Sequence, residues 1–241
     1  AALSSSMIVG IVRAGIENYW GIEVFSKVSL VISITNMATR CINAISIVMF
    51  PMLRKQRKET LPDIYIRLNT GLMSIIFFGL IFYRPVAKLI IAWLPKYADS
   101  IKYAALLLPV CTYECKNAML VSTYLKTLGK EKVLLMSNLA AILVSFVGTI
   151  ITVYGIGNLE AAVVVILIAL VLRCVVGEFS IGKELNLTFA RSAFEEICMM
   201  TIFVICNWCL GLAGFVIYAV FTGIYILIKK KVLLNLILGG K

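Results

Sequence analysis

Three sets of polar side chains recur at helical spacing inside otherwise apolar stretches, and their types are those that hold ions and hydroxyls rather than those that break bonds. Ser6, Gly10, Arg13 and Glu17 follow one another by three or four residues, which places them on one helical face. A longer stripe runs Glu23, Ser26, Ser29, Ser33, Asn36, Arg40 and Asn43, with Lys27 one turn after Glu23. Further on, Thr112, Lys116 and Thr123 form one stripe, and Tyr113, Asn117 and Tyr124 form its neighbour. A charge at the centre of a bilayer costs about 2.5–3.5 kcal/mol on insertion scales, so each of these ions is expected to face protein or a wet cavity. For Arg13 two readings stand: an interfacial pair with Glu17, or a place on a cavity wall. The stripe through Arg40 is read as the wall of an aqueous cavity, the other reading being that Asn36, Arg40 and Asn43 hydrogen-bond neighbouring helices as packing glue. Glu114 lies off the Lys116 stripe and needs a partner from another helix, with Arg13 and Arg173 at suitable depth. It is either half of that ion pair or a proton or cation coupling site. Arg173 and Glu178 lie toward one end of their segment, where snorkelling is easy.

Several chemistries are disfavoured at the outset. The chain has no histidine, which removes the commonest general base and the usual zinc ligand. No catalytic residue, metal site or cofactor is expected. The seven cysteines lie inside apolar runs and read as small buried hydrophobes, not as a disulfide framework. Of 241 residues 61% are hydrophobic and only 15% charged, against about 25% charged in soluble domains. A net charge of +11 would point to nucleic acid in a soluble chain. In a chain this apolar it points to membrane topology instead, and no nucleic-acid partner is expected.

The elements that must position these stripes are therefore membrane helices. Charge-poor runs cut at charged clusters and at Gly, Pro and Asn breaks give eight spans, near 1–16, 23–50, 65–83, 101–128, 131–154, 159–180, 192–210 and 212–229. The run from Ile197 to Ile228 carries no charge and must be a hairpin, broken near Gly211 and Gly214. Short loops rich in Lys and Arg stay cytoplasmic. One alternate set of loops holds Arg54, Lys55, Arg57, Lys58, Arg67, Lys126, Lys130, Lys132, Lys183, Arg191, Lys229 to Lys231 and Lys241, whereas the other holds Arg84, Lys88, Lys96 and Lys102. The C-terminus is accordingly expected in the cytoplasm. Residues 51–67 are expected to form a basic cytoplasmic connector with an amphipathic stretch on the membrane surface. Residues 85–95, too short to span and carrying Trp93, are expected to form a short outer interfacial helix. Ser137, Ala141, Ser145 and Thr149 form a small-residue stripe suited to close packing. The last two spans, with only Asn207 as an internal polar group, are expected at the periphery. The chain opens inside an apolar stretch and is read as a piece of a longer protein.

Four stretches carry a resemblance: IENYWGIEVFSKVSL (16–30), INAISIVMFPMLRK (42–55), WLPKYADSIKY (93–103) and YECKNAMLVSTYLKTLGKEK (113–132). In these, and in the order of segments nearly end to end, the chain resembles the C-terminal part of bacterial polysaccharide transporters, the lipid-linked oligosaccharide flippases of the multidrug/oligosaccharidyl-lipid/polysaccharide exporter superfamily. None of the stretches is a catalytic signature; their order carries the resemblance.

The resemblance implies an all-α, multi-pass protein of the bacterial cytoplasmic membrane, forming half of a two-lobe alternating-access transporter. Residues 1–184 would be its C-terminal six-helix lobe and residues 185–241 a two-helix appendage with a basic tail. An N-terminal lobe of the same protein is the implied partner, alongside the bilayer. The implied cargo is an undecaprenyl-pyrophosphate-linked oligosaccharide, moved with or without coupling to Na⁺ or H⁺. Bases in a wet, low-dielectric cavity would offset desolvation of the diphosphate, and Arg40, Lys27, Lys116 and Arg13 are the candidates in that order. Asn36, Asn43, Tyr113, Asn117 and Tyr124 are candidates to bind or stack on sugars, while Glu114 and Glu23 are candidates for coupling or ion pairing. A cation-coupled multidrug exporter of the same superfamily is the alternative, although it would prefer an acidic cavity. A membrane glycosyltransferase or polysaccharide polymerase would need a larger outer loop than residues 84–100. A non-transporting scaffold remains a third reading.

Overall fold

The computed structural model describes residues 2–93, 95, 98–209 and 211–237, and of these the side chains of residues 2, 38, 41–43, 98–100, 102, 211, 212 and 235–237 lie outside the description. The described chain is helical, without a strand. Its elements are α1 (Ala2–Arg54), α2 (Leu61–Ile81), α3 (Tyr83–Trp93), α4 (Ala98–Lys116), α5 (Ser122–Thr127), α6 (Glu131–Thr149), α7 (Leu159–Leu185), α8 (Ala190–Cys209), α9 (Gly211–Ile228) and α10 (Lys230–Ile237). Five π-helical residues, Asn117–Val121, join α4 to α5, and a second π segment, Ile150–Ile156, extends α6.

The first two expected spans form one element. At 53 residues α1 would measure about 80 Å if straight. It is broken instead at Gly21, where φ 81° and ψ 178° define a backbone region essentially closed to residues with a Cβ. Arg13 and Ser29, equidistant from Gly21, meet across the break with Nε donating to Oγ at 3.1 Å. The two arms, residues 2–20 and 22–54, therefore fold back on each other as a hairpin.

The basic connector is shorter than expected. Residues 51–54 complete α1 and residues 61–67 open α2, leaving only a turn and one 3₁₀ turn, Lys58–Thr60, between them. Pro62 explains the early start of α2, because its fixed φ and missing N–H suit a first helical turn. No separate α-helix lies within 51–67 between the end of α1 and the start of α2. The expected helix at 85–95 appears as α3, a two-sided helix on which Ala87 is buried while Leu89 and Trp93 are exposed. The α6–α7 reversal uses Gly157 at φ 68°, followed by Asn158, whose side chain accepts from the Ala161 N–H at 3.0 Å as an N-cap.

Among the described residues four helices are long and apolar enough to cross a membrane: Lys58–Ile81, Glu131–Ile156, Leu159–Leu185 and Ala190–Cys209. The remaining expected spans fall on the bent α1, on α4 with its internal charges, and on the shorter apolar helix Ala213–Ile228. The small-residue stripe of α6 turns inward. Ser137, Ala141, Ser145 and Thr149 are all buried, and Ser145 Oγ donates to the Ile8 carbonyl at 2.7 Å, which brings α6 against α1 at backbone distance. The outward face of α6 presents Leu135, Met136, Leu139 and Leu143, all largely exposed.

Candidate functional site

The polar stripes of α1 and the α4–α5 segment line an open cavity of about 750 Å³. The first arm of α1 contributes Ser5, Ser6, Gly10 and Arg13, and the second contributes Asn36, Thr39, Arg40, Ser46 and Phe50. Opposite them stand Glu114, Asn117, Ser122, Thr123 and Lys126. The hairpin at Gly21 is what lets Arg13 and Arg40 line one chamber. Arg13 holds its orientation through Ser29 and through the Phe25 ring, whose centroid is 5.0 Å from the guanidinium carbon. Its contacts lie across the hairpin, so the expected pairing with Glu17 gives way to Ser29 and Phe25.

Glu114 pairs with Arg173, one of the two expected partners. Arg173 Nη2 lies 3.1 Å from Glu114 Oε2, out of line for a hydrogen bond, and Ser5 completes the contact by donating to Oε2 at 2.8 Å while accepting from Arg173 Nη1 at 2.8 Å. Arg173 is fully buried and does not snorkel. The carboxylate of the lining is thereby offset from behind, and Arg13, Arg40 and Lys126 leave the cavity positive. Its acceptors Glu114 Oε1, Asn117 Oδ1 and Ser122 Oγ are buried without a hydrogen-bond partner.

Five expected site residues are placed elsewhere. Lys27 pairs with Glu23 at 3.3 Å one helical turn away on an exposed surface, so both belong to a surface ion pair and not to the chamber. Tyr113 and Tyr124 are core residues: Tyr113 is nearly fully buried and its carbonyl accepts from Cys174 Sγ, whereas Tyr124 stacks edge-on against Tyr65 with centroids 4.8 Å apart. Lys116 is also buried, with 1% of its side chain exposed, between two carboxylates. The Asn43 side chain lies outside the described residues.

For the stripes on α4 and α5 the cause is the π segment. Each helical residue turns the chain by about 100°, and a π turn inserts an extra residue, so faces before and after it fall out of register. Thr112 and Lys116 face α7 and α8, with Thr112 Oγ1 at 3.8 Å from Met200 Sδ, whereas Thr123, after the π turn, lines the cavity. Asn117 lines it too, separated from its expected neighbours Tyr113 and Tyr124.

Lys116 is the centre of a second polar site, which the stripes did not reveal. Its Nζ lies 2.7 Å from Glu178 Oε1 and in close contact with Glu196 Oε2. Tyr65 donates to Glu178 Oε1 at 2.7 Å, and Asn69 Nδ2 donates to Glu196 Oε1 at 2.9 Å. Glu178 is buried and not at a snorkelling position. Glu196 belongs to α8, which was expected at the periphery, and this cluster crosses the boundary expected at 184/185. The available signal was local: Tyr65 with Asn69, and Ser192 with Glu196, are pairs at four-residue spacing on their helices.

No family model, curated protein or solved structure matches the chain. Among the described residues no group of three or more Cys, Asp and Glu could hold a metal ion.

Proposed function

We propose that the chain is the C-terminal lobe of an exporter in the bacterial cytoplasmic membrane that moves an undecaprenyl-pyrophosphate-linked oligosaccharide between leaflets for surface polysaccharide synthesis. The observation that carries this reading is the chamber of about 750 Å³ on which Arg13, Arg40 and Lys126 converge while Glu114 is offset by Arg173. A diphosphate crossing hydrocarbon needs its charge met by fixed cations, and guanidinium groups do so with paired N–H donors. Asn36, Asn117 and Ser122 supply amide and hydroxyl groups beside those cations for sugar hydroxyls.

In this reading the two arms of α1, together with α2, α4–α5, α6, α7, α8 and α9, are the eight spans, and α3 lies at the outer interface. Arg40 and Asn36 are exposed, which fits a half-chamber completed by an N-terminal lobe. A coupling ion, Na⁺ or H⁺, belongs to the same proposal. The unpartnered acceptors Glu114 Oε1 and Asn117 Oδ1 favour a second reading, a cation-coupled exporter of cationic drugs. One measurement separates the two: leaflet exchange of a labelled lipid-diphosphate sugar by the protein with its N-terminal lobe, in vesicles with and without Na⁺ or proton gradients. Exchange of the anionic lipid that lipophilic cations do not inhibit supports the flippase; transport of the cations alone overturns it.

A further inference from the structure

The buried cluster around Lys116 carries a charge problem whichever cargo the cavity takes. Glu178 on α7 and Glu196 on α8 both contact Lys116 on α4, and their side chains are 3% and 4% exposed. Fully ionised, two carboxylates and one ammonium leave one uncompensated negative charge out of water, which costs several kcal/mol. Among the described residues, the other groups facing the cluster do not supply the missing positive charge. Tyr65 from α2, Tyr113 from α4, Cys174 from α7 and Tyr225 from α9 are neutral. Arg173 is committed to Glu114 at 3.1 Å, and Glu195, next to Glu196 in sequence, turns away to Lys229 at 2.8 Å and Arg191 at 3.2 Å.

A second observation points to what fills the deficit. Asn69, 6% exposed, aims its amide into the cluster and donates through Nδ2 to both Glu196 Oε1 and Ser192 Oγ, while its Oδ1 is buried with no donor. An amide has one accepting and one donating end related by a half-turn. Beside an ionised Glu196 it donates, as seen here; beside a protonated Glu196 a half-turn would let its oxygen accept the carboxylic O–H, with the N–H₂ group then taking the buried position now held by Oδ1. Ser192, half-buried in the first turn of α8 and 3.2 Å from Glu196 Oε1, joins the cluster to the helix end where water is reached.

We propose that Lys116, Glu178 and Glu196 form a proton-binding site, in which one proton taken from water resides on the carboxylate pair and brings the cluster to neutrality. No other bond forms or breaks; the charge changes by one and Asn69 reports it by turning. Because Lys116 precedes Asn117, a cavity residue in the π segment, the site adjoins the wall of the chamber.

The test is infrared spectroscopy of the whole chain in lipid nanodiscs, reading the carboxylic-acid C=O stretch and its shift in D₂O near neutral pH. Wild type is expected to show a buried carboxylic-acid band, absent from both Glu178→Gln and Glu196→Gln, since one carboxylate then balances Lys116 as an ion pair. Lys116→Met is expected to double the band, as both acids then hold protons. If Lys116→Met does not fold, the two Gln variants, which retain charge balance, decide the question alone. A wild type without the band while folded, or a band that survives in both Gln variants, overturns the proposal.

Discussion

At the scale of single residues, the two basic side chains ranked for the same role do different things. Arg40 stands on the wall of the chamber and Lys116 is locked between Glu178 and Glu196. Arg40→Ala removes a cation without leaving a buried group unpaired, so leaflet exchange of a lipid-diphosphate sugar is expected to fall at least about tenfold, the equivalent of 1.4 kcal/mol, while thermal unfolding in detergent stays unchanged. Lys116→Ala removes the cation from between Glu178 and Glu196, so both carboxyl groups must take up protons to stay out of water. Breaking a buried pair this way costs about 3–5 kcal/mol, and its expected signature is a lowered unfolding temperature or loss of folded protein rather than a selective export defect. The distinction was not legible from spacing. Arg13, Asn36 and Arg40 line one chamber, and regular helix on either side of Gly21 preserves the faces that their spacing gives them. Steps of three and four align Lys116 with Thr123 and Tyr113 with Tyr124, but they run straight through a π segment that the sequence does not announce.

At the scale of elements, two glycines determine where the chamber walls stand. Gly21 alone permits the positive φ at which α1 reverses, and Gly21→Ala is expected to cost about 1–3 kcal/mol, read as lower thermal stability and, through displacement of Arg13 from Arg40, as reduced exchange. Gly177 on α7 sits against the π segment, where an added Cβ would collide with the Val121 side chain. Gly177→Val is expected to destabilise by about 1–3 kcal/mol through overpacking and to raise amide hydrogen exchange across residues 117–126, whereas Gly223→Val, with open space around it, should do neither. The existence of most helices was legible from apolar runs cut at charges, and α6, α7, α8 and α9 begin and end within a few residues of expectation. The joins were less legible. A single glycine bends α1 instead of ending it, and Pro62 starts α2 inside what read as a basic loop. The role of α8 was missed because one buried glutamate, Glu196, weighs little in an apolar average yet binds the helix to the centre of the bundle.

At the scale of the whole molecule, the charges sort by end. Arg54, Lys126, Lys130, Lys183 and Lys229 fall at helix ends that alternate along the chain with those carrying Arg84 and the aromatic residues Tyr19, Trp20 and Tyr154. Two contacts tie each end together independently of any membrane. Lys130 reaches Glu184 at 2.6 Å, joining the start of α6 to the end of α7, and Lys229 reaches Glu195 at 2.8 Å, joining the end of α9 to the start of α8. At the other end Arg84 donates to the Asn207 side chain at 3.1 Å and to its carbonyl at 2.5 Å, placing a cation where the dipole of α8 is negative. The basic end is thus a built feature of the fold, and under the proposed membrane reading the positive-inside rule assigns that end to the cytoplasm. A fluorescent protein fused after Lys241 is therefore expected to fluoresce, and alkaline phosphatase fused there to stay inactive, while phosphatase inserted in the turn at Gly157 is active. Exchanging Lys229, Lys230 and Lys231 for Gln weakens only one of several anchors and is expected to leave both reporters unchanged. Active phosphatase at the C-terminus of the unaltered chain would invert the assignment of ends and place the Lys126 mouth of the chamber on the outer side.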